Sequence, residues 1–227
     1  MNRQAVSFMG AVALAVAVGG TAHAASYVLD QSNTTPPLPD GTPYLRVTVA
    51  DIGGTGSIGG DSLIQFTAQT VPGAFTTTGS FGIDSFGFNN PGGLSLSSSN
   101  FSLPNASWNV SIASIASSGI TQDGYGKFGV VVDTNGAGNR LDSLTFSIDV
   151  AGDSVSSYFG QSSKNAGQGN AYYVAHVAGF TTSESVTSAW FGGGDGLTPP
   201  ASVPEPTSLI LIGSLAGLGL IARRRRG

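Results

Sequence analysis

The stretch that decides the fold is YLRVTVA at residues 44–50, in which apolar and polar residues alternate. In an extended strand, side chains two positions apart lie on the same face, so this alternation gives the strand one apolar face and one polar face. Similar short runs, rich in Val, Ile, Phe, Tyr or Thr and bounded by Gly, Asn, Asp and Ser, lie at 63–68, 81–88, 108–115, 127–132, 144–150, 172–180 and 189–191. Seven or eight such strands predict an all-β body, folded as an antiparallel β-sandwich or a jelly roll.

The composition indicates a folded chain that carries few charges. Only 10% of the 227 residues are charged, while 40% are hydrophobic. An ordinary soluble domain is about 25% charged. Between residues 25 and 202 there are twelve acidic and four basic side chains. Four scattered cations cannot neutralise a row of phosphates, so we expect no nucleic acid among the partners.

Cysteine and histidine are scarce, which limits the chemistry open to the chain. The sequence has no cysteine, so disulfides, thiolate metal sites and cysteine nucleophiles are excluded. His176 is the only imidazole of the body, and a catalytic role would require a nucleophilic serine and an orienting aspartate. No G-x-S-x-G motif accompanies it, and Glu184 is the only glutamate between residues 25 and 202. We therefore predict a structural histidine and a body that is not an enzyme, with a secreted hydrolase as the alternative.

Residues 1–24 have the three parts of a cleavable signal peptide. Arg3 provides a positive start, an apolar run of 14 residues follows at 5–18, and Ala22 and Ala24 give the small-x-small pattern that precedes a cut. The alternative is an uncleaved membrane anchor, but the apolar run is shorter than the roughly 20 residues that a spanning helix needs. We predict export through the secretion translocon and cleavage directly after Ala24 or one residue later.

The C-terminal end combines a proline-rich motif, an apolar segment and an arginine cluster. Val203-Pro204-Glu205-Pro206 is followed by an uncharged run at 207–222, and Arg223, Arg224, Arg225 and Arg226 come next. The apolar run predicts a single short transmembrane helix, which snorkelling arginines can extend. The arginines favour a cytoplasmic C-terminus, which places the body on the other side of the inner membrane. A simple tail anchor is the alternative, but it would not require Glu205 between two prolines.

Residues 203–227 resemble the PEP-CTERM sorting signal of Gram-negative bacteria that make extracellular polysaccharide. The order of parts is the same: the Pro-Glu-Pro motif, a short helix rich in Gly, Leu and Ala, and terminal arginines. The resemblance implies processing by an exosortase, a membrane enzyme that acts near Pro204-Glu205-Pro206. It also implies a cell-surface or extracellular destination after transient anchoring in the inner membrane.

The body resembles a set of uncharacterised PEP-CTERM proteins, in segments at 83–89, 123–129, 141–146, 175–180 and 190–192. This second resemblance implies a shared β fold and brings no known activity or catalytic residue. The predicted organisation is therefore a signal peptide at 1–24, an exported β-rich body at 25–202 and a sorting signal at 203–227.

Asp133 and Asn135 are the candidate metal ligands. Their side-chain oxygens lie two residues apart in DTNGAGN at 133–139, a glycine-containing loop of the kind that can curl around calcium. The later acidic ligands of a complete calcium loop are missing, and Asn-Gly turn chemistry explains the same residues as a hairpin. We therefore expect no cofactor, with calcium as the candidate that remains.

Aromatic residues supply the second binding hypothesis. A ring offers an apolar face on which a sugar can stack, and the body has six candidates for such a platform: Trp108, Tyr125, Tyr158, Tyr172, Tyr173 and Trp190. Core packing in strands is the alternative. The sequence thus favours a non-enzymatic exported protein of the cell surface or the extracellular (biofilm) matrix, and its first alternative is a module that binds extracellular polysaccharide.

Overall fold

The computed structural model describes residues 24–34, 36–53, 63–114, 119–163 and 167–193. The predicted signal peptide up to residue 23 and the predicted sorting signal at 203–227 lie outside these residues. Within the described part, the strands are β1 (Ala24–Leu29), β2 (Gln31–Ser32), β3 (Leu45–Asp51), β4 (Leu63–Thr70), β5 (Thr76–Phe88), β6 (Phe101–Ser102), β7 (Trp108–Ile112), β8 (Ile120–Gln122), β9 (Gly126–Phe128), β10 (Val130–Thr134), β11 (Ser143–Asp149), β12 (Tyr173–Thr181) and β13 (Ser188–Gly193).

Helical structure in the same residues is limited to three short 3₁₀ turns, at Ser98–Asn100, Ala137–Asn139 and Val155–Tyr158. None of the helices in the described ranges has the length and apolar character that crossing a membrane requires. The apolar segment at 207–222, for which the sequence predicts a membrane helix, is not among these ranges.

Two antiparallel sheets form the body, which confirms the predicted β-sandwich. One sheet has five strands in the order β1-β3-β4-β11-β6, and the other has six in the order β2-β13-β12-β5-β10-β7. Every pair of neighbouring strands is antiparallel. The remaining two strands, β8 and β9, pair with each other as a separate hairpin.

The core between the sheets follows from alternation along each strand. In β3, Leu45, Val47 and Val49 are fully buried, whereas the intervening residues are not. Phe66 of β4 stacks on Phe146 of β11 with ring centroids 4.9 Å apart. Burial of each such side chain contributes about 1.5–3 kcal/mol, so the interleaved aliphatic and aromatic residues stabilise the sandwich.

The sequence prediction of one strand at 127–132 is wrong. The structure divides this run at Gly129 into β9 and β10, which belong to different sheets. Phe128 packs on the outer face of the six-stranded sheet, whereas Val130 lies in the core between the sheets. The backbone N–H of Gly129 donates to Oδ1 of Asn89 at 2.7 Å and fixes the chain where it changes direction. Periodicity does not reveal this break, because Phe128 and Val130 are both apolar and two residues apart, as in a single continuous strand.

Candidate functional site

A β-bulge in β5 directs polar side chains to the outer face of the six-stranded sheet. Ile83 and Phe86 are both fully buried in the core, although a spacing of three residues would place them on opposite faces of a regular strand. The register against β12 shifts at this point, since His176 pairs with Ser85 and Val177 pairs with Ile83. Asp84 is therefore the extra residue. Bulges of this kind re-aim side chains and occur often beside functional sites.

The carboxylate of Asp84 joins two cationic or potentially cationic side chains. Its Oδ1 lies 2.5 Å from Nδ1 of His176, and its Oδ2 accepts a hydrogen bond from Nε of Arg140 at 3.0 Å. Arg140 also donates from NH1 to the backbone oxygen of Ser80 at 3.1 Å. An ionised carboxylate only accepts, so Nδ1 carries the proton in the bond to His176. The side chains of the three residues are 18–23% exposed, so this group borders solvent.

Trp190 extends the group onto the neighbouring strand β13. Its ring lies 4.8 Å from the imidazole of His176, with 39° between the two planes. The Trp190 backbone is held by Asn33, whose Oδ1 accepts from the Trp190 N–H at 2.9 Å and whose own N–H donates to the Trp190 oxygen at 3.1 Å. The Trp190 side chain is half-buried. The indole is thus fixed in place but remains open on part of its surface.

These residues belong to a polar row that crosses five strands. Cross-strand pairing places Trp190 beside His176, His176 beside Ser85, Ser85 beside Asp133 and Asp133 beside Asn109. Each of these side chains is partly or fully exposed. We call these five residues, together with the bulged Asp84, the open row.

A second row, offset from the open row by two positions in each strand, is covered by the β8–β9 hairpin. It consists of Gly192, Val174, Gly87 and Val131, which also pair across the strands, and we call it the covered row. All four residues are buried. The adjacent β8–β9 hairpin closes over them and forms a second, smaller apolar cluster on this outer face.

Two glycines permit the hairpin to approach. A Cβ atom on Gly192 would lie 2.3 Å from the ring of Tyr125, and one on Gly87 would lie 2.9 Å from Val174 and 3.3 Å from Phe128. Tyr125 and Phe128 therefore rest directly on backbone, which a larger residue in the covered row would prevent. The hairpin covers one half of the outer face and leaves the polar half accessible.

The predicted calcium ligands lie at the end of β10. Asp133 is the last outward-facing residue of the strand and is half-buried, whereas Asn135 is exposed in the turn that follows. Burial raises the pKa of the Asp133 carboxyl, and the negative charge of Asp84 raises it further. The ranges that the structure describes contain no group of three or more His, Asp or Glu side chains placed to hold a metal.

His176 has one of the two companions that a catalytic role would require. Asp84 orients its ring, as an aspartate orients a catalytic imidazole. No serine hydroxyl of the described residues is hydrogen-bonded to the ring; its other contact is with Trp190. The arrangement holds a histidine between a carboxylate and an indole.

For four of the six aromatic residues that the sequence offers as a sugar platform, the structure supports the alternative, which is core packing. Four of the six aromatic side chains are at most 2% exposed and belong to the core: Trp108, Tyr125, Tyr158 and Tyr173. The Tyr158 hydroxyl donates to Oδ2 of Asp153 at 2.7 Å, and burial raises the pKa of this phenol and of Tyr173. Tyr172 is half-buried and stacks on Phe159 at 3.9 Å. Trp190 is the member that both packs against the outer-face apolar cluster and contacts the imidazole of His176.

Sequence reasoning missed the centre of the open row. Asp84 and Arg140 are 56 residues apart, and Asp84 and His176 are 92 residues apart, so no local motif joins them. One local signal was present: the run Ile83-Asp84-Ser85-Phe86 separates two apolar residues by three positions inside a predicted strand. Such a break in alternation indicates a bulge with two polar side chains directed outwards.

A cleft lies at the end of β7. It has a volume of about 570 Å³ and is lined by backbone and mostly apolar side chains, among them Pro91, Leu94 and Ile112. Asn90 also lines it: its amide donates to the oxygen of Leu94 at 2.8 Å, while its buried Oδ1 has no hydrogen-bond partner among the described residues. None of the lining residues is charged, whereas the open row contains the carboxylates of Asp84 and Asp133.

Comparison with known proteins identifies the C-terminal segment. The family model of the PEP-CTERM protein-sorting motif matches residues 202–226. No curated protein and no solved structure matches the chain. The chain therefore carries a PEP-CTERM sorting motif, as the order of its C-terminal parts predicts, and the motif marks it as an exported protein sorted by an exosortase.

Proposed function

We propose that this protein is delivered to the cell surface or the extracellular matrix, where its β-sandwich acts as a non-enzymatic component. The observation that carries the proposal is the sorting motif at 202–226 behind a folded body whose last described strand ends at Gly193. In this order a complete domain precedes the signal, so removal of the signal would release the domain intact.

The parts of the C-terminal segment support a stepwise delivery. The apolar run at 207–222 halts export in the inner membrane, and Arg223 to Arg226 keep its end in the cytoplasm. Pro204 and Pro206 then lie at the outer interface. Neither proline has an N–H that could enter a helix, so the segment around Glu205 stays extended and accessible to a membrane-embedded enzyme.

The test is deletion of Pro204-Glu205-Pro206 in a host that makes an exosortase. We expect the deletion to leave an uncut form in the inner membrane, while the wild type lacks residues 207–227 in the surface or released fraction. Deletion of residues 199–201, also a proline-containing tripeptide, is the matched control and should still be processed. Mass spectrometry that finds an intact Arg226-Gly227 terminus in the released fraction would overturn the proposal.

Polysaccharide binding is the second candidate, and the half-buried Trp190 within a polar row supports it. An indole that is fixed by its neighbours and open on part of its surface provides a stacking face beside hydrogen-bonding groups. Retention on a polysaccharide column would distinguish a binding protein from an inert matrix protein. Depolymerisation of the polysaccharide that stops in His176→Ala would instead identify a hydrolase.

A further inference from the structure

We propose that the open row is a binding site for an extended segment of neutral polysaccharide, with Trp190 as the stacking residue at one end and Asn109 as the outermost contact at the other. This inference rests on the proposed polysaccharide-binding function and adds the location, direction and charge class of the ligand.

The length and spacing of the open row fit a chain of repeating units. Its residues occupy five adjacent strands of the six-stranded sheet, from β13 to β7. Neighbouring strands lie about 4.7–4.9 Å apart, so the row spans about 19 Å. The spacing between neighbouring strands is close to the length of one sugar ring. Successive sugars laid across the strands would therefore meet successive side chains of the open row.

The two ends of the open row offer different chemistry. At the β13 end, Trp190 presents an apolar ring to the C–H face of a sugar, and the imidazole 4.8 Å away holds the indole in position. At the β7 end, the exposed Asn109 offers both a donor and an acceptor to hydroxyl groups. A linear ligand anchored on Trp190 would reach Asn109 only by crossing β12, β5 and β10.

The charges of the open row favour a neutral ligand. Arg140, the cation beside the row, has its Nε committed to Asp84 and its NH1 committed to the Ser80 oxygen. Asp133 has no salt bridge among the described residues and lies near a second carboxylate, Asp84. Uronate or sulfate groups would meet these carboxylates with like charge, whereas sugar hydroxyls can donate to them.

The centre of the row is already ordered before a ligand binds. Asp84 is held by Arg140 and His176 at once, and His176 is held in turn by Trp190. Side chains that are fixed in the free protein lose little conformational entropy on binding. Each Asp84 oxygen already takes part in one of these bonds and has a second lone pair, so the bulge in β5 supplies preorganised acceptors in the middle of the sheet.

The experiment measures binding of the full-length chain, purified in mild detergent, to cellohexaose, laminarihexaose, mannohexaose and an alginate hexamer by calorimetry. We expect binding to at least one neutral hexamer and at least tenfold weaker binding to alginate. Trp190→Ala should weaken the neutral interaction about thirtyfold, as loss of a tryptophan anchor does. Asn109→Ala should weaken it about fivefold, the value of one hydrogen bond.

Matched controls separate the row from the rest of the surface. Gln69→Ala removes an exposed amide from β4 in the other sheet, and Tyr172→Ala removes a half-buried ring outside the row. Both should bind within twofold of wild type. Because Asn109 is exposed, its variant reports on the site even if Trp190→Ala fails to fold.

Each outcome decides between the site and the general function. Neutral binding that is unchanged in Asn109→Ala, or weakened equally in Gln69→Ala, overturns the open-row site while leaving polysaccharide binding intact. Preference for alginate overturns the charge argument. Absence of binding to all four hexamers overturns both the site and polysaccharide binding, whereas processing at Pro204-Glu205-Pro206 is judged separately by mass spectrometry.

Discussion

The covered row and the open row lie side by side on one face of one sheet, yet only the covered row is core. The two rows are offset by two positions along each strand, and the residues of each row are cross-strand partners in the same antiparallel sheet. The difference is in the side chains: glycines and valines in the covered row admit Tyr125 and Phe128, while polar groups in the open row admit solvent. A single sheet face can therefore have one half that stabilises the fold and another that stays open to solvent, and substitutions should separate the two.

The largest effect is expected from Phe128→Ala in the hairpin that closes the covered row. Phe128 is fully buried in the outer-face cluster, and truncation of a buried phenylalanine costs about 3–5 kcal/mol. Chemical denaturation should therefore show a large drop in the free energy of unfolding. Asn109→Ala, an exposed change in the open row, should stay within about 0.5 kcal/mol. Similar losses from both variants would contradict the division of this face.

Gly192→Ala tests the close approach in the covered row. The added methyl would lie 2.3 Å from the ring of Tyr125, so the hairpin must shift, at a cost of about 1–3 kcal/mol. Gly138→Ala is the matched control, because a Cβ there meets nothing within 4 Å. Thermal melts of the two variants should differ clearly. If Gly192→Ala melts with the wild type, Tyr125 does not rest on the backbone as described.

The sequence predicts the strands of the sandwich better than the division of this sheet face into a covered and an open row. Alternation locates β3, β4 and β11 in the five-stranded sheet because each has one buried face. The role of Gly192 depends on Tyr125, which approaches from a distant hairpin and leaves no local pattern. The sorting motif is the opposite case: all its parts are contiguous, so sequence alone identifies it.

Asp84→Ala should have a moderate effect, since it removes the shared acceptor of Arg140 and His176. Because these side chains border solvent, water replaces part of the lost bonding, and we expect a loss of about 1 kcal/mol in the free energy of unfolding. Asp142→Ala, at an exposed carboxylate, is the control and should be close to neutral. A cost of 3 kcal/mol or more in Asp84→Ala would show that the open row is part of the core.

Asp133→Asn should give a small gain in stability that depends on pH. Burial raises the pKa of this carboxyl in the folded state, so ionisation weakens folding. The penalty is absent below the unfolded-state pKa, grows as pH rises towards the folded-state pKa and is complete above it. The variant should thus be more stable than wild type at neutral pH and equal to it in acid. Urea denaturation at several pH values measures this, and a neutral-pH loss would refute the assigned cause.

Added calcium is expected to have the smallest effect, a change in melting temperature within error. Calcium takes about six to eight oxygen ligands, whereas Asp133 belongs to the open row on strand β10 and Asn135 lies in the exposed turn beyond it. If the protein had a calcium site, calcium at about one hundred times the dissociation constant would stabilise the fold by about 2.7 kcal/mol. A thermal melt detects a change of this size readily. Asp133→Asn is the control, because it removes the charge without changing the shape. If calcium raises the melting temperature of wild type and not of Asp133→Asn, the end of β10 is a metal site and the polar end of the open row has a second role.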